Sequence, residues 1–545
     1  MSASDLIEIV IAAALLVLTY LWLRPLESFA RRFAERTRAC MILLAILPIA
    51  LRFALIAHHP IPTPDIYDEF GHLLVADTLR HWRLANPAHP LHQFFETLFV
   101  LQSPTYSSIY PIGQGLMLAI GRAIFNDPWA GVSLSTAALC SLSYWMLRGW
   151  IAPIWALAGG LLAVIQFGPL NQWMNSYWGG SFAAAGGCLV FGALPRLRDR
   201  GDWRSSALLG LGLATNILTR PYESIFLLAA SCLYLWRTDS SVPRRDSSRR
   251  LFALALIPIF FAIAVTLLQN KRVTGNWTTL PYQLSQQQYG VPAALTFQPD
   301  PIPHSQLTRE QQLEYKSQLA FKGAGRETFK NFLLRLEYRV RFYRFFFLPP
   351  LFVALIFFAL TLNQPRSQFI ALTLLLFALG INFFPAFQFH YLAAVTCLFL
   401  LASIIGLERL NRFSPEAARL LLFLCFVHFG FWYTVHFFDD KPFALALRPY
   451  ETWDGLNHSN PARRIAVSQQ LEKIPGKLLV FVHYSPNHIF QDEWVYNAAD
   501  IDRARIVWAR DLGADENQKL LAYYPARTAL LLEPDQPAPE LSNYP

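Results

Sequence analysis

The chain has 545 residues, of which 54% are hydrophobic and only 15% are charged. Soluble domains contain about 25% charged residues, so this composition excludes an ordinary soluble protein and indicates a protein embedded in lipid. The net charge of +9 is concentrated in a few short segments, which is typical of membrane topology rather than of nucleic-acid binding. We therefore predict the lipid bilayer, and no nucleic acid, as a partner.

Residues 1–436 contain a series of apolar runs that are long enough to cross a hydrocarbon core of about 30 Å as helices. Short arginine-rich segments separate many of these runs, and the positive-inside rule places such segments on the cytoplasmic side. Applied along the chain, the rule predicts about twelve spans, with the N-terminus on the outer side. The predicted spans are 6–23, 40–57, 129–147, 151–167, 181–194, 206–218, 224–236, 251–268, 345–362, 369–384, 392–407 and 420–436.

Two long segments are predicted to lie on the outer side: residues 58–126, the first outer segment, and residues 269–341, the second outer segment. Within the first outer segment, residues 70–82 are amphipathic, and residues 111–125 are apolar but short for a crossing. We predict interfacial helices in this segment, with residues 111–125 either interfacial or re-entrant.

The composition changes after residue 436. Residues 477–482 and 528–532 are short apolar runs typical of buried strands, and the residues between them alternate strand-like and helical patterns. We predict an all-α membrane module over residues 1–436 and a small α/β domain, the tail, over residues 437–545 on the outer side.

The most unusual stretch is the acidic sequence that begins at Asp65, follows the second predicted span and includes Asp68 and Glu69. Carboxylates at a membrane boundary are costly unless they are solvated, paired or used. The ordinary interpretation is a solvated turn or a helix N-terminus, where negative charge is stabilising. We favour the functional interpretation, in which one carboxylate acts as a general base toward a sugar or alcohol acceptor.

Three basic residues on the predicted outer side are candidates for binding a phosphate. Arg220 lies between two spans, where the positive-inside rule does not favour an arginine, and a guanidinium can hold a phosphate through two parallel hydrogen bonds. The alternative is that Arg220 only extends from the membrane toward water. Lys271 and Arg272, which follow the span 251–268, either bind the same anion or contact lipid head groups.

Aromatic and polar residues of the other outer segments complete the candidate site. A membrane-interface belt explains aromatic residues at these places, and stacking on a sugar face is the alternative. The candidates for substrate binding are Asp65, His72, Tyr177, Trp178, Tyr222, Glu223, His390 and Tyr391. The sequence contains no Gly-x-x-x-x-Gly-Lys loop, no His-x-x-x-His pair and no Cys-x-x-Cys pair, so we predict no cofactor and leave a divalent metal open.

These features resemble one family of membrane enzymes. Asp68-Glu69 at a membrane boundary, followed by Tyr-Ser-Ser-Ile-Tyr-Pro-Ile-Gly-Gln-Gly at 106–115, is similar to polytopic GT-C glycosyltransferases, in particular to the dolichyl-phosphate-mannose and aminoarabinose transferase group (family 39 type). The motifs that carry the resemblance along the chain are Asp68-Glu69-Phe70, Ala76-Asp77-Thr78, Asn86-Pro87-x-His89-Pro90, Asn175-Ser176-Tyr177-Trp178-Gly179-Gly180, Arg220-Pro221-Tyr222-Glu223 and Glu493-Trp494-Val495-Tyr496-Asn497.

The resemblance implies a GT-C-like fold and an enzyme that moves a hexose or pentose from a polyprenyl-phosphate donor to a glycan, lipid or protein acceptor, with inversion. It implies that Asp68 is the catalytic base, with Glu69 as a second carboxylate. It also implies that basic residues hold the lipid phosphate, for which Arg220 and Lys271 or Arg272 are candidates by their position only, and that no metal is needed. The implied location is the bacterial inner membrane, with the site and the tail facing the periplasm. One departure is the additional first span, which relatives usually lack.

Two other classes of function remain open. A transporter or flippase for lipid-linked saccharides needs polar residues in the middle of its spans, and charges at such places are scarce in this sequence. The third class is a membrane scaffold that binds a glycan or a partner through its tail without catalysis. The scarcity of charges within the spans favours the enzyme over the transporter.

Overall fold

The computed structural model describes residues 3–236, 247–322, 327–438 and 461–545, and most of them are helical. The helices are α1 (Ala3–Ala34), α2 (Thr37–Ala54), α3 (Tyr67–Arg80), α4 (Ile112–Phe125), α5 (Pro128–Leu147), α6 (Pro153–Phe167), α7 (Ser181–Arg200), α8 (Trp203–Thr219), α9 (Pro221–Trp236), α10 (Ser247–Thr274), α11 (Pro281–Tyr289), α12 (Arg309–Lys322), α13 (Phe329–Val340), α14 (Leu351–Ala359), α15 (Pro365–Ile381), α16 (Thr396–Phe413), α17 (Pro415–Phe438), α18 (Ala462–Lys473) and α19 (Ala514–Tyr523). Short 3-10 helices cover His92–Phe95, Arg341–Phe346 and Phe389–Val395.

Every predicted span overlaps one of these helices. Among the residues that the structure describes, the stretches both long and apolar enough to cross a membrane are Thr37–Ala54, Pro128–Leu147, Leu254–Thr274, Phe389–Phe413 and Pro415–Phe438. The apolar helices α4, α6 and α15 are shorter. The helical character of the membrane module is therefore confirmed, whereas the number of crossings stays a prediction.

The predicted span 345–362 is broken in the structure. Phe329–Phe346 and Leu351–Ala359 meet the criteria for a span only as a pair, and their axes differ by 114°. Pro349 and Pro350 lie between the two helical pieces, and because they lack backbone N–H groups the preceding helix cannot continue through them. With 9 residues, α14 is about 14 Å long, which is half of a hydrocarbon core.

Sequence signals at the helix ends explain the tight turns between successive helices. α7 ends at Gly201, whose φ of 59° is the left-handed conformation that glycine adopts readily. Asp202 then caps α8, because its carboxylate accepts a hydrogen bond of 2.7 Å from Ser205 N. Asp127 caps α5 in the same way, through a hydrogen bond of 2.8 Å from Trp129 N. These caps set where the chain reverses at either end of the bundle.

The first outer segment folds into α3, a small sheet and α4. The antiparallel strands are β1 (Asn86–Pro87), β2 (Val100–Leu101) and β3 (Thr105–Ser108), in the order β1-β3-β2. The two helices cover the stretches predicted to be helical, and the sheet between them is an addition. A Cβ on Gly115 of α4 would lie 2.3 Å from Val75 Cγ1 of α3, so a glycine there lets the two helices pack closely.

The described residues 461–545 of the tail contain a small sheet and two helices, whereas residues 439–460 of the predicted tail lie outside the described residues. Its strands are β4 (Leu478–Val482), β5 (Ile506–Arg510), β6 (Thr528–Glu533) and β7 (Glu540–Asn543). β4 lies between β5 and β6 and is parallel to both, and β7 is antiparallel to β6. All of β4 is buried, which explains its continuous apolar sequence. Leu479 and Phe481 share a core with Leu74 of α3, so the tail packs directly on the first outer segment.

A buried ion cluster joins the tail to both outer segments. Arg510, at the end of β5, donates hydrogen bonds to Glu310 Oε2 of α12 at 2.7 Å and to Glu493 Oε2 of the tail. Its Nε also donates to Glu96 O of the first outer segment at 2.6 Å. The side chains of all three ion-pair partners are at most 7% exposed. Buried charges are tolerated only when they are paired in this way.

Replacing Arg510 with alanine is expected to destabilise the protein by about 3–5 kcal/mol, because two buried carboxylates lose their arginine. Thermal unfolding of the purified protein in detergent measures the change. Arg503→Ala is the control, since the Arg503 side chain is 86% exposed and lies 3.6 Å from Asp500; its effect should stay within about 0.5 kcal/mol. Equal stability of the two variants would contradict the buried junction.

Candidate active site

A cavity of about 1500 Å³ lies where the two outer segments meet the ends of the predicted spans. Pockets for drug-sized ligands have about 300–1,000 Å³, so this cavity has room for more than one sugar. Its walls come from the start of α3, the residues after β3, the α8–α9 junction, the second outer segment and the turn after α15. The residues predicted from the sequence that line it are Asp68, Trp178, Arg220, Tyr222, Glu223, His390 and Tyr391.

Asp68 lies in the first turn of α3, partly buried and lining the cavity. Tyr110 OH donates a hydrogen bond to Asp68 Oδ1. Burial raises the pKa of Asp68 to about 7. The hydrogen bond from Tyr110 and the charge of Arg220 act against this rise, whereas two nearby carboxylates add to it. A carboxyl group with a pKa near neutral pH is well suited to accept a proton and release it again.

Glu69 is buried beside Asp68 and has a different task. Its carboxylate accepts hydrogen bonds from the backbone N–H groups of Asp65 at 2.8 Å, Ile66 at 3.3 Å and Tyr177 at 2.8 Å. The first two bonds hold the chain at the entry to α3, and the third ties α3 to the segment 171–180. Glu69 is not among the residues that line the cavity, so the structure gives this predicted catalytic residue a supporting position.

Arg220 occupies the junction between α8 and α9. Its Nε and Nη2 donate to Glu223 Oε1 at 3.0 and 2.6 Å. Its guanidinium carbon lies 4.4 Å from the centre of the Tyr391 ring, a distance at which a cation is attracted to the ring. A guanidinium has five N–H groups, so the pair with Glu223 leaves donors that can hold a phosphate.

Aromatic candidates line the same cavity as Arg220. His390 is buried, and its ring centre lies 5.1 Å from that of Trp178 and 5.0 Å from that of Tyr391. Tyr222 is held in place because its OH donates to Gly380 O at 2.8 Å. These rings line the cavity, which favours substrate binding over the membrane-belt interpretation.

Lys271 and Arg272 are not brought into the cavity. α10 continues to Thr274, beyond residue 268, where the span was predicted to end. Both side chains are exposed, and Lys271 Nζ donates to Gly275 O at 2.7 Å, just past the end of its own helix. Their predicted contact with the donor phosphate finds no support in this arrangement, and lipid head groups are the remaining interpretation.

Three further candidates lie behind the wall of the cavity. The buried His72 ring lies 4.3 Å from the Tyr110 ring, and burial lowers the pKa of His72 to about 3, so its imidazole is neutral. Tyr177 OH donates to Pro62 O at 2.9 Å, which fixes the approach to the acidic stretch. Burial raises the pKa of Asp65, whose backbone N–H is already used to hold the start of α3. All three therefore support the site without lining it.

Arg52 is a residue of the site that sequence analysis missed. It interrupts the apolar sequence of α2 and is 1% exposed. Its Nε donates to Asn175 Oδ1 at 2.7 Å, and its two terminal nitrogens donate to His59 O and Pro60 O, both at 2.9 Å. One guanidinium thus fixes the start of the first outer segment and the segment 171–180. An arginine within an apolar run was itself the available signal.

The second outer segment supplies a charged wall that was not predicted. Glu314 of α12 and both Arg335 and Arg339 of α13 line the cavity. Arg335 pairs with Glu327 at 2.6 Å. Arg339 donates to the carbonyl oxygens of Ile381 at 2.9 Å and of residue 385 at 3.1 Å. The spacing of four residues between the arginines places them on one face of a helix, a signal that the sequence contained.

The tail also reaches the site. Gln491 lines the cavity. The ring of Phe70, two residues after Asp68, stacks on Tyr496 with centres 4.3 Å apart and planes 4° apart. The guanidinium carbon of Arg464 lies 4.7 Å from the centre of the same Phe70 ring. The tail therefore holds the turn of α3 that carries Asp68.

Both signs of charge meet in this cavity. Asp68, Glu223 and Glu314 are acidic, and Arg220, Arg335 and Arg339 are basic. Within the described ranges, no group of three or more His, Cys, Asp or Glu side chains is arranged to hold a metal ion. The prediction that no cofactor is needed stays a prediction.

Comparisons with known proteins give structural neighbours. No family model and no curated protein matches the chain. Among solved structures, ArnT from Cupriavidus metallidurans in the apo state is 12% identical over 90% of this chain and 92% of its own, with a TM-score of 0.48. The same protein bound to undecaprenyl phosphate gives 10% identity, the same coverage and a TM-score of 0.49.

A third neighbour is the archaeal oligosaccharyltransferase AglB from Archaeoglobus fulgidus, in complex with an inhibitory peptide and a dolichol-phosphate. It is 11% identical over 91% of this chain and 69% of its own, with a TM-score of 0.38. These likenesses are too distant to transfer residue roles or substrates to this chain.

The variant Glu69→Gln is expected to destabilise the protein by about 1–3 kcal/mol, because an amide NH₂ would face backbone N–H groups that need an acceptor. Thermal unfolding in detergent measures the change. Glu337→Gln, at an exposed position of α13, is the matched control and should change stability by less than about 0.5 kcal/mol. A Glu69→Gln protein as stable as the wild type would show that the carboxylate does not hold the start of α3.

Proposed function

We propose that the protein is a membrane glycosyltransferase that uses a polyprenyl-phosphate-linked sugar as donor and a hydroxyl group as acceptor. The observation that carries the proposal is the position of Asp68, a carboxylate with a pKa of about 7, in one cavity with Arg220. Sugar transfer from a phosphate leaving group is helped by a base for the acceptor and by a cation for the phosphate. The resemblance of the Asp68-Glu69 motif supports the same reaction.

In the proposed reaction, Asp68 takes the proton of the acceptor hydroxyl. The hydroxyl oxygen forms a bond to the anomeric carbon while the bond from that carbon to the phosphate oxygen breaks. The polyprenyl phosphate leaves with the electron pair, and Arg220 stabilises its negative charge through N–H groups not used by Glu223. Attack from the side opposite the phosphate inverts the anomeric centre.

The lining of the cavity suggests where the parts of the substrates bind. Trp178, His390 and Tyr391 offer rings for the donor sugar, a hexose or pentose, close to Arg220. The volume of about 1500 Å³ accommodates the head of the donor and part of a glycan, lipid or protein acceptor together. We place the protein in the bacterial inner membrane with the cavity and the tail in the periplasm, because the arginine-rich short segments mark the cytoplasmic side. No cofactor is proposed.

A transfer assay tests the proposal. The purified protein in lipid vesicles is incubated with radiolabelled undecaprenyl-phosphate hexoses and pentoses, and membranes from cells lacking the protein serve as the source of acceptor. The expected result is release of undecaprenyl phosphate together with the appearance of label in a new product. Label that crosses the vesicle membrane while still attached to its lipid would indicate a transporter. Binding without release or passage would indicate a scaffold.

The variant Asp68→Asn should reduce kcat by about 10²–10⁴-fold, the contribution of a positioned base, while unfolding and donor binding stay unchanged. A base works only when ionised, so a pKa of about 7 predicts that wild-type kcat/KM rises as the pH increases through about 7 and is lost below it. Asp515→Asn, at an exposed position of α19, is the matched control. Wild-type transfer by the Asp68→Asn protein would contradict the assignment.

The variant Arg220→Gln should raise the KM for the donor by about 10–100-fold, because hydrogen bonds between a charged donor and the phosphate are lost. Arg220→Lys keeps the charge without the planar fork and should give an intermediate KM. Lys271→Gln, at the exposed end of α10, should leave the KM unchanged. A larger increase in KM for Lys271→Gln than for Arg220→Gln would indicate that the phosphate binds at the end of α10 instead.

A further inference from the structure

Asp68 has a close partner to which the proposed reaction gives no role. Tyr110 OH donates to Asp68 Oδ1, and among the residues described no hydrogen-bond donor is found for Oδ2. Both side chains line the cavity. One oxygen of the carboxylate is thus held by the protein, and the other is left for a ligand.

Tyr110 is itself held from several sides. Its ring centre lies 4.3 Å from that of His72 and 6.3 Å from that of Phe99, which it meets edge to face. Its carbonyl oxygen accepts a hydrogen bond from Gln269 Nε2 at 3.0 Å, and its N–H donates to Ser108 Oγ at 3.3 Å. Ring packing and backbone hydrogen bonds together hold the phenol in one orientation.

Gly71 makes room for this phenol. A Cβ at residue 71 would lie 2.7 Å from Tyr110 Cε2, closer than non-bonded carbon atoms approach. Glycine is unfavourable within a helix, yet Gly71 lies inside α3, three residues after Asp68. The close contact with the Tyr110 ring accounts for a glycine at this place.

We propose that Tyr110 is a positioning residue for the catalytic base, and that it fixes Oδ1 of Asp68 so that Oδ2 faces the acceptor hydroxyl. The inference rests on the proposed function, since it takes Asp68 as the base. Tyr110 contacts the base and not the reacting atoms. Burial raises the pKa of Tyr110 well above its usual value, so the phenol stays protonated and acts only as a donor. A side chain locked in place by such a partner is prepared for its reaction before the substrate binds.

The same hydrogen bond sets how readily Asp68 holds a proton. The charged groups that face Asp68 are Glu314 of α12, Glu69 of α3 and Arg220 of the α8–α9 junction. The two carboxylates raise the pKa of Asp68, and Arg220 and the Tyr110 hydroxyl lower it. Removing the hydroxyl therefore leaves a carboxylate that is protonated more easily.

The test is the pH profile of Tyr110→Phe in the transfer assay with undecaprenyl-phosphate sugars. Loss of one hydrogen bond to a charged group should move the acidic limb of kcat/KM upward by about one pH unit. The activity should then fall about tenfold on the acidic side and recover in part as the pH rises. Tyr106→Phe is the matched control, because buried Tyr106 donates to Asn497 O at 2.9 Å and does not contact Asp68.

A second variant keeps the hydroxyl and displaces the ring. Gly71→Ala should shift the profile in the same direction, and unfolding temperatures of all variants identify any that fail to fold. A wild-type profile in Tyr110→Phe, or an equal shift in Tyr106→Phe, would overturn the positioning role. Wild-type transfer activity in the Asp68→Asn protein would instead contradict the proposed function. An inactive Asp68→Asn combined with an unshifted Tyr110→Phe would remove the positioning role alone.

Discussion

Burying a carboxylate is tolerated only when hydrogen bonds replace the water that it loses, and Glu69 shows how this chain meets the requirement. Its oxygens accept from three backbone N–H groups, two at the entry to α3 and one at Tyr177. The entry to α3 is therefore fixed relative to the segment 171–180, which Arg52 fixes from its other side. Asp68, the preceding residue, takes its position from this arrangement. Two neighbouring carboxylates thus have different surroundings: backbone N–H groups hold Glu69, whereas Asp68 lines the cavity.

The tail completes the support of the same turn from a distant part of the sequence. Phe70 packs on Tyr496 and lies close to Arg464, so the residues that follow Asp68 cannot move independently of the tail. Arg510 binds Glu310 of the second outer segment to the same domain. The tail therefore contacts both the helix that carries Asp68 and the second outer segment, which forms part of the cavity wall. The shape of the cavity depends on docking of the tail, although few of its lining residues come from there.

Hydropathy and the cost of charge near lipid predicted the parts of the molecule that depend on local physics. The helices lie where apolar runs predicted them. Asp68 and Arg220 were candidates because charged side chains at the membrane boundary are energetically costly and often functional. Lys271 and Arg272 were placed at the site because hydropathy does not show where a helix ends, and α10 carries them past the cavity. The hydrogen bond from Tyr110 to Asp68 and the position of Gln491 in the cavity wall bring together residues that are far apart in the sequence. Local hydropathy and composition do not predict contacts between residues so distant in the sequence.

The other cations of the cavity have different surroundings from Arg220, the residue proposed to bind the phosphate. Arg339 directs its terminal nitrogens at carbonyl oxygens of residues 381–386. Arg335 is bound by Glu327 and by Asn382 O at 2.7 Å, and Lys322 by Asp300 at 2.5 Å. These bonds tie all three side chains to the wall of the cavity. Arg220 donates two hydrogen bonds to a single carboxylate oxygen of Glu223. Its positive charge also lowers the pKa of Asp68. Arg220 is thus the cavity cation whose charge lowers the pKa of Asp68, and this is the reason to propose it for the phosphate.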